Sequence, residues 1–295
     1  MVRRACESSL ISARGLSVAL FVSALISCVS CKHRKPDPRD FHSHRPKLAP
    51  LQAKSWLIDL DVPGFGNAAL AVPIAATSAR SLVIALHGSA DRPEWACAAL
   101  RSIAGPGPFV LCPRGRARAD FPVDDPRYTF GSSDDTAREL RVALAELKRR
   151  FKVYVASGPV VFAGFELGAD QVGMIAGQEP SFFSRLLLIE PSPASWPSSQ
   201  AALFGRTGGQ RVLFAFGPAH RDELALRAVL TSRGGAESKA VFLGEGPVTL
   251  EPATRRVLGQ NWSWLTAPAK AAPIEDLAGN PLPAGRPKAP QPSDQ

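Results

Sequence analysis

Histidine and cysteine are both scarce in this chain of 295 residues, which has five of each. The histidines are His33, His42, His44, His87 and His220, and the cysteines are Cys6, Cys28, Cys31, Cys97 and Cys112. No grouping of His and Cys has the spacing of a metal site, so the sequence predicts neither a metal nor another cofactor. The only C-x-x-C spacing joins Cys28 and Cys31, close to the N-terminus.

Long apolar runs, internal repeats and basic stripes with interleaved aromatic residues are also missing from the sequence. The apolar stretch 15–26 is shorter than the roughly 20 residues that a membrane-spanning helix needs. The formal net charge is +9, but much of the excess lies within residues 32–54, where we interpret it as a solvated linker. A basic segment can also favour anionic lipid, but nucleic acid is not an expected partner. With 45% hydrophobic and 21% charged residues, the chain can form an ordinary globular core.

The N-terminus has the pattern of an export signal. Arg3, Arg4 and Arg14 precede the apolar stretch, and the sequence Leu-Ile-Ser-Cys over residues 25–28 follows it. This tetrapeptide resembles the lipobox of bacterial lipoproteins, in which a small residue precedes the cysteine that receives the lipid. We therefore predict a signal peptide over 1–27, lipid attachment at Cys28, and a location at the cell envelope, on the outer membrane or periplasmic face. Cys31 is a weaker alternative site.

Composition divides the rest of the chain into a tether, a body and a tail. Residues 28–52 and 267–295 are rich in proline and aperiodic, which predicts a flexible tether and a disordered tail. Between them, over 53–266, apolar strand patterns alternate with helical patterns. The predicted strands are 55–62, 68–74, 81–87, 108–112, 159–163, 185–190, 211–216 and 238–243, and the predicted helices are 93–103, one from about 133, 167–178, 222–233 and 252–265. This alternation predicts a single α/β domain with a doubly wound, mostly parallel sheet.

Two glycine-containing loops follow predicted strands in this body. His87-Gly88-Ser89 comes after the strand 81–87, and Gly164-Phe165-Glu166-Leu167-Gly168 joins a strand to a helix. The first resembles the His-Gly loop of α/β-hydrolases, and the second resembles their nucleophile elbow, G-x-S-x-G. The resemblance covers about 53–266 and is of the esterase and dienelactone hydrolase kind. It implies an oxyanion-hole-like group of amides from Gly88, Ser89 and Leu167.

The same resemblance implies a catalytic triad that this sequence departs from. Glu166 stands where the nucleophilic serine belongs, and Pro247 stands in the loop after the last strand, where the histidine belongs. Asp222 occupies the region of the acid, although a helix cap is an equally simple role for it. His220, close to Asp222, is the candidate for a displaced base, whereas His87 is expected to be structural.

These departures leave three functions open. The first is an enzyme-derived domain that has lost serine-hydrolase activity and is retained for binding or interaction. The second is an active hydrolase of ester-type bonds with a displaced nucleophile or base, and the third is a carrier of a small acyl or anionic ligand. Whether the protein is an enzyme is thus undecided by the sequence. No particular protein partner is indicated.

Three smaller expectations concern individual side chains. Glu166 should point toward the oxyanion-hole-like group formed by the Gly88–Ser89 loop and the amide of Leu167, because a helix N-terminus attracts a carboxylate. Cys97 and Cys112 either form a disulfide or remain buried thiols. Arg114 and Arg116 are interpreted as surface charges, with an anion pocket as the alternative, and Ser132 and Ser133 as helix N-caps.

Overall fold

The computed structural model describes residues 47–268. Within this range the strands are β1 (Leu57–Leu60), β2 (Ala68–Ala71), β3 (Leu82–Leu86), β4 (Phe109–Cys112), β5 (Arg116–Ala117), β6 (Tyr128–Thr129), β7 (Val161–Phe165), β8 (Arg185–Ile189), β9 (Arg211–Phe216) and β10 (Glu237–Phe242). The α-helices are α1 (Pro93–Ala104), α2 (Ser133–Phe151), α3 (Leu167–Gln178), α4 (Ser198–Phe204), α5 (Arg221–Arg233) and α6 (Pro252–Thr266). No helix in the described range is both long and apolar enough to cross a membrane.

Eight strands form one sheet in the order β1-β2-β4-β3-β7-β8-β9-β10. Strands β1 and β2 pair antiparallel to each other, and β2 pairs antiparallel to β4, whereas every other neighbouring pair in this sheet is parallel. The predicted doubly wound, mostly parallel sheet is therefore confirmed. Because parallel strands need crossover connections, helices cover both faces of the sheet.

Two hydrophobic layers, one on each face of the sheet, form the core. One layer contains residues of α2, α3, α4 and α5, and the other contains residues of α1 and α6. Strand β3 shows the arrangement, because all five of its residues are buried and they alternate between the two layers. The continuous apolar runs in the sequence are those of strands with both faces covered.

The structure adds short elements that the sequence pattern did not reveal. Strands β5 and β6, of two residues each, pair antiparallel to each other. The seven-residue helix α4 follows Pro197. The hairpin strands are partly or fully exposed, and α4 buries only Ala201 and Phe204, so neither has a clear hydrophobic period.

The packed body begins by Leu48, within the predicted tether. Leu48 donates a backbone hydrogen bond to Thr77, and Leu51 is buried and exchanges backbone hydrogen bonds with Ala75 and Ala76. At the other end, Arg211 donates to the carbonyl oxygens of Ala267 and Pro268, within the predicted tail. The remaining predicted tether and tail residues, the signal peptide and Cys28 lie outside the described residues.

Candidate active site

A sharp turn joins β7 to α3. Glu166 lies at the turn with φ 48° and ψ −118°, a left-handed backbone that is costly for a residue with a Cβ. The flanking glycines are required by close packing: a Cβ on Gly164 would lie 2.4 Å from the Gly168 backbone, and one on Gly168 would lie 2.3 Å from the Leu86 carbonyl oxygen. The turn therefore has the geometry of a nucleophile elbow, with a carboxylate at its apex.

The Glu166 side chain turns toward the loop that follows β3. Its Oε2 lies 2.9 Å from the position that a Cβ on Gly88 would take. Within residues 47–268, however, no donor forms a hydrogen bond to this carboxylate. The amides of Ser89 and Leu167 do not bind it either. The carboxylate thus covers the loop without being anchored to the amides of the expected oxyanion hole.

Two further carboxylates lie around Glu166. Partial burial raises the pKa of the Glu166 carboxyl, and the negative charges of Asp91 and Glu190 raise it further. Glu190 follows β8 directly, has a positive φ of 53°, and accepts a hydrogen bond from the Gly217 amide. The carboxyl ends of β3, β7 and β8 therefore direct acidic residues toward one region.

Glu190 was missed by the sequence reasoning, which placed it at the end of a strand. A polar residue directly after a buried parallel strand is the signal that could have identified it, because such strand ends meet at one edge of the sheet.

The loop after β10 approaches the turn from the other side. Gly244 has a φ of 120°, and a Cβ on Gly217 would lie 3.0 Å from Val248 Cγ2 and 3.3 Å from the Gly246 carbonyl oxygen. The loop thus packs against Gly217, the residue that follows β9. Pro247 lies between Gly246 and Val248 and has no side-chain group that can accept a proton.

His220 and Asp222 are not brought to the turn as a catalytic pair. His220 is the N-cap residue of α5 and is exposed, and no hydrogen bond or ion pair joins it to Glu166 in the described chain. Asp222 lies in the first turn of the helix and is also exposed. The suggested capping role of Asp222 is not seen, because the helix begins one residue earlier and Asp222 follows the cap position.

His87 is fully buried, and both of its ring nitrogens face backbone carbonyl oxygens. Nδ1 lies 2.8 Å from the Gly88 oxygen and Nε2 lies 2.9 Å from the Arg114 oxygen, while the ring packs on Phe130. A neutral imidazole carries one N–H and can donate to only one of these oxygens. The ring joins two loops and is too deeply buried to contact a substrate, in agreement with the structural role expected for it.

Glu139 of α2 supports the loop that follows β4. No pattern in the sequence identified this residue. Its carboxylate is buried and accepts hydrogen bonds from the amides of Arg114 (2.8 Å) and Gly115 (3.0 Å). Burial raises the pKa of the Glu139 carboxyl, and the two amide hydrogen bonds oppose that rise. The side chain therefore fixes the backbone that in turn fixes His87.

The arginines of this loop differ in environment. The Arg114 side chain is only 17% exposed and donates to Glu94 at 2.7 Å, so its interpretation as a surface charge is wrong. Arg116 is 68% exposed and pairs with Asp135, as a surface charge should. Nearby, Ser132 caps α2 by accepting from the Asp135 amide, whereas Ser133 is the first residue of the helix.

Ser89 is exposed, and its hydroxyl accepts a hydrogen bond from Arg118 at 3.0 Å. No imidazole contacts this hydroxyl in residues 47–268, so no histidine is in place to activate Ser89.

A cleft of about 560 Å³ opens beside the turn. Its lining is Asp91, Trp95, Ala98, Ala99, Phe165, Glu166, Val248, Thr249, Leu250, Glu251 and Arg255. Three carboxylates against one guanidinium make this cleft acidic. Its volume is typical of small-molecule sites. In the described part of the chain, no group of three or more metal-ligating side chains occurs.

Cys97 of α1 and Cys112 at the end of β4 form a disulfide, with Cα atoms 5.9 Å apart. The structure thus decides between the two states that the sequence left open. The bond ties α1, which contributes Trp95, Ala98 and Ala99 to the cleft, to the end of β4.

No protein-family model matches the chain, and no curated protein matches it. Solved structures, however, do match it. TT1662 from Thermus thermophilus is 19% identical with a TM-score of 0.51, covering 72% of this chain and 98% of its own. A dienelactone hydrolase from Anabaena variabilis is 15% identical with a TM-score of 0.52, covering 73% of this chain and 97% of its own. The chain has an α/β-hydrolase fold.

Est1E from Butyrivibrio proteoclasticus, solved with ferulic acid bound, has the same fold at 14% identity. Its TM-score is 0.52, and the match covers 72% of this chain and 100% of Est1E. At such identities the likeness concerns the α/β-hydrolase fold alone, and the function must be argued from the site.

Proposed function

We propose that this protein is a lipid-anchored envelope protein whose α/β-hydrolase domain binds a small molecule in the cleft beside Glu166 and lacks serine-hydrolase activity. The observation that carries the proposal is the carboxylate at the apex of an otherwise well-formed elbow. A serine hydrolase needs a hydroxyl nucleophile and an imidazole that takes its proton. Glu166 supplies neither, and Pro247 occupies the region of the base.

The charge of the cleft favours a neutral or cationic ligand over the anionic one that the sequence first suggested. Asp91, Glu166 and Glu251 would repel an anion, whereas Arg255 alone would attract it. Trp95 and Phe165 give the same cleft apolar surface. An uncharged or positively charged molecule with an apolar part therefore suits this lining better than a carboxylate.

Two features support export. The Leu-Ile-Ser-Cys sequence ending at Cys28 follows an apolar stretch, and the Cys97–Cys112 disulfide suits an oxidising compartment. We expect the wild-type protein to fractionate with membranes and Cys28→Ala to become soluble or stay unprocessed. Metabolic labelling with a fatty acid provides the measurement, and Cys31→Ala is the matched control. Unchanged labelling of Cys28→Ala would refute anchoring at this residue.

The loss of serine-hydrolase chemistry is tested with a fluorophosphonate probe and short activated esters. The wild type should react with neither, and Glu166→Ser should show little turnover because its serine has no base. Glu166→Ser combined with Pro247→His should show more, because the imidazole at position 247 supplies the base that the serine alone lacks. Pro247→His alone is the control. Labelling of a wild-type serine would overturn the proposal.

The alternative function is an ester hydrolase that uses a displaced group. The raised pKa of Glu166 favours it, because raising the pKa of a carboxyl extends upward the pH range in which it can act as a general acid. In that case turnover by the wild type should fall as pH rises, and Glu166→Gln should abolish it. Turnover that survives loss of Glu166 but disappears in His220→Ala would instead indicate a relocated base.

A further inference from the structure

A second candidate binding site lies toward the amino-terminal ends of the parallel strands, whereas Glu166 lies at their carboxyl ends. Two adjoining cavities, of about 300 and 320 Å³, share Lys148 and Phe182. Their lining is Leu82, Ala137, Leu140, Arg141, Leu144, Ala145, Lys148, Lys152, Val155, Ala156, Ser157, Gly158, Val160, Ile175, Glu179, Phe182 and Phe183. We call this the α2 groove. It follows α2 toward the amino-terminal ends of β3 and β7.

The floor of the α2 groove is apolar and recessed. Leu140, Leu144, Ile175 and Phe183 are buried core residues, whereas the ring of Phe182 is 37% exposed at the rim. From Ala137 to Lys148 the α2 lining extends about 16 Å, at 1.5 Å per residue. An apolar groove of this length suits a single aliphatic chain.

Charge at the rim selects the sign of the ligand. Three cationic side chains line the groove, Arg141, Lys148 and Lys152, against the single carboxylate of Glu179, which gives a net charge of three minus one, or +2. Glu179 lies 3.7 Å from Arg141, and Lys148 lies over the Phe182 ring. Neither Lys148 nor Lys152 forms an ion pair within residues 47–268.

We infer that the α2 groove binds a monomeric fatty acid, with the chain on the apolar floor and the carboxylate at Lys148 and Lys152. Burial of each additional CH2 should tighten binding about fourfold until the groove is full. The inference does not depend on the function proposed for the Glu166 cleft.

Calorimetric titration with octanoate, decanoate and laurate, each below its micellar concentration, tests the chain-length dependence. We expect laurate to bind about 16-fold more tightly than decanoate, which is two steps of fourfold. Decyltrimethylammonium, with the same chain and the opposite charge, should bind more weakly than decanoate. An affinity that does not change with chain length, or no preference for the anion, would overturn the inference.

Variants then test the location. Lys148→Glu with Lys152→Glu should weaken decanoate binding about tenfold, since exposed ion pairs contribute up to about 1 kcal/mol each. Lys54→Glu with Arg206→Glu makes the same change in net charge at exposed positions elsewhere and should leave binding within twofold. Ala145→Trp, at an exposed position of the lining, should block the groove without changing its charge. Retained binding in Ala145→Trp, with an unchanged melting temperature, would contradict the location.

Cross-linking with a diazirine-bearing fatty acid distinguishes the two sites directly. A cross-linked peptide that contains Phe182 supports the α2 groove, whereas cross-links at Glu166 would assign the fatty acid to the cleft and overturn it. Association with anionic vesicles without binding of monomeric decanoate would show that the surface contacts a bilayer instead.

Discussion

The crowded carboxylate at the elbow predicts that Glu166→Gln stabilises the protein at neutral pH. In the folded state, partial burial and the charges of Asp91 and Glu190 raise the pKa of Glu166 above its ordinary value. In the unfolded chain these influences are lost. The ionised side chain is therefore less favourable in the folded protein than in the unfolded one, and an uncharged side chain of the same shape removes that difference.

The size of the effect is limited by solvent. A shift of one pKa unit corresponds to about 1.4 kcal/mol. Although its carboxyl is partly buried, Glu166 as a whole residue is exposed, so screening by water reduces this value, and we expect a gain of less than about 1 kcal/mol. No hydrogen bond to the carboxylate would be lost within the described residues, so the gain is not offset there.

The direction in which stability changes with pH follows from proton linkage. Between the unfolded and the raised folded pKa, the folded protein binds more protons than the unfolded one, so its stability falls as pH rises through that interval. Below the unfolded pKa, about 4.3, both states are protonated and Glu166→Gln should have almost no effect. The difference between the variant and the wild type should thus grow as the pH rises through the unfolded pKa and the raised folded pKa, and remain constant above both.

Urea unfolding of both proteins from pH 4 to pH 7.5 is the measurement. Glu223→Gln is the control, since Glu223 lies in the first turn of α5, where a negative charge favours the helix dipole. That change should lower stability by a few tenths of a kcal/mol at neutral pH, the opposite sign. If Glu166→Gln destabilises the protein at neutral pH, Glu166 accepts favourable interactions and the reasoning fails.

Three other substitutions test the scaffold of the site. Gly164→Ala should destabilise the domain by about 3 kcal/mol or more, measured by thermal unfolding, because its Cβ would lie 2.4 Å from the Gly168 backbone; wild-type stability would contradict the turn. Replacing Cys97 and Cys112 together by Ala should lower the free energy of unfolding by about 3 kcal/mol, since the bond closes a loop of 15 residues. As a check, a reducing agent should lower the Tm of the wild type but not that of the double variant. Glu139→Ala should lower the free energy of unfolding by about 1–3 kcal/mol, because it leaves two buried amides without their acceptor. Urea unfolding is the measurement, and an unchanged free energy of unfolding would show that water replaces the carboxylate.

The local elements of this protein were determined by its sequence. Apolar runs of four to six residues specified β3, β4, β7, β8 and β9, because strands with both faces covered need no polar positions. The two glycines around Glu166 specified the turn for a similar reason, since the neighbouring backbone leaves no space for a Cβ. The replacement of the nucleophile by Glu166 and of the base by Pro247 was likewise readable along the chain.

Only the tertiary structure decided which distant side chains meet. Asp91, Glu166 and Glu190 follow three different strands, and their mutual effect on the pKa of Glu166 depends on β3, β7 and β8 being neighbours in the sheet. The Cys97–Cys112 bond and the α2 groove likewise depend on how helices pack against the sheet. Periodicity encodes which face of an element is buried, but not which other element covers it, because that choice depends on contacts between residues far apart in the chain.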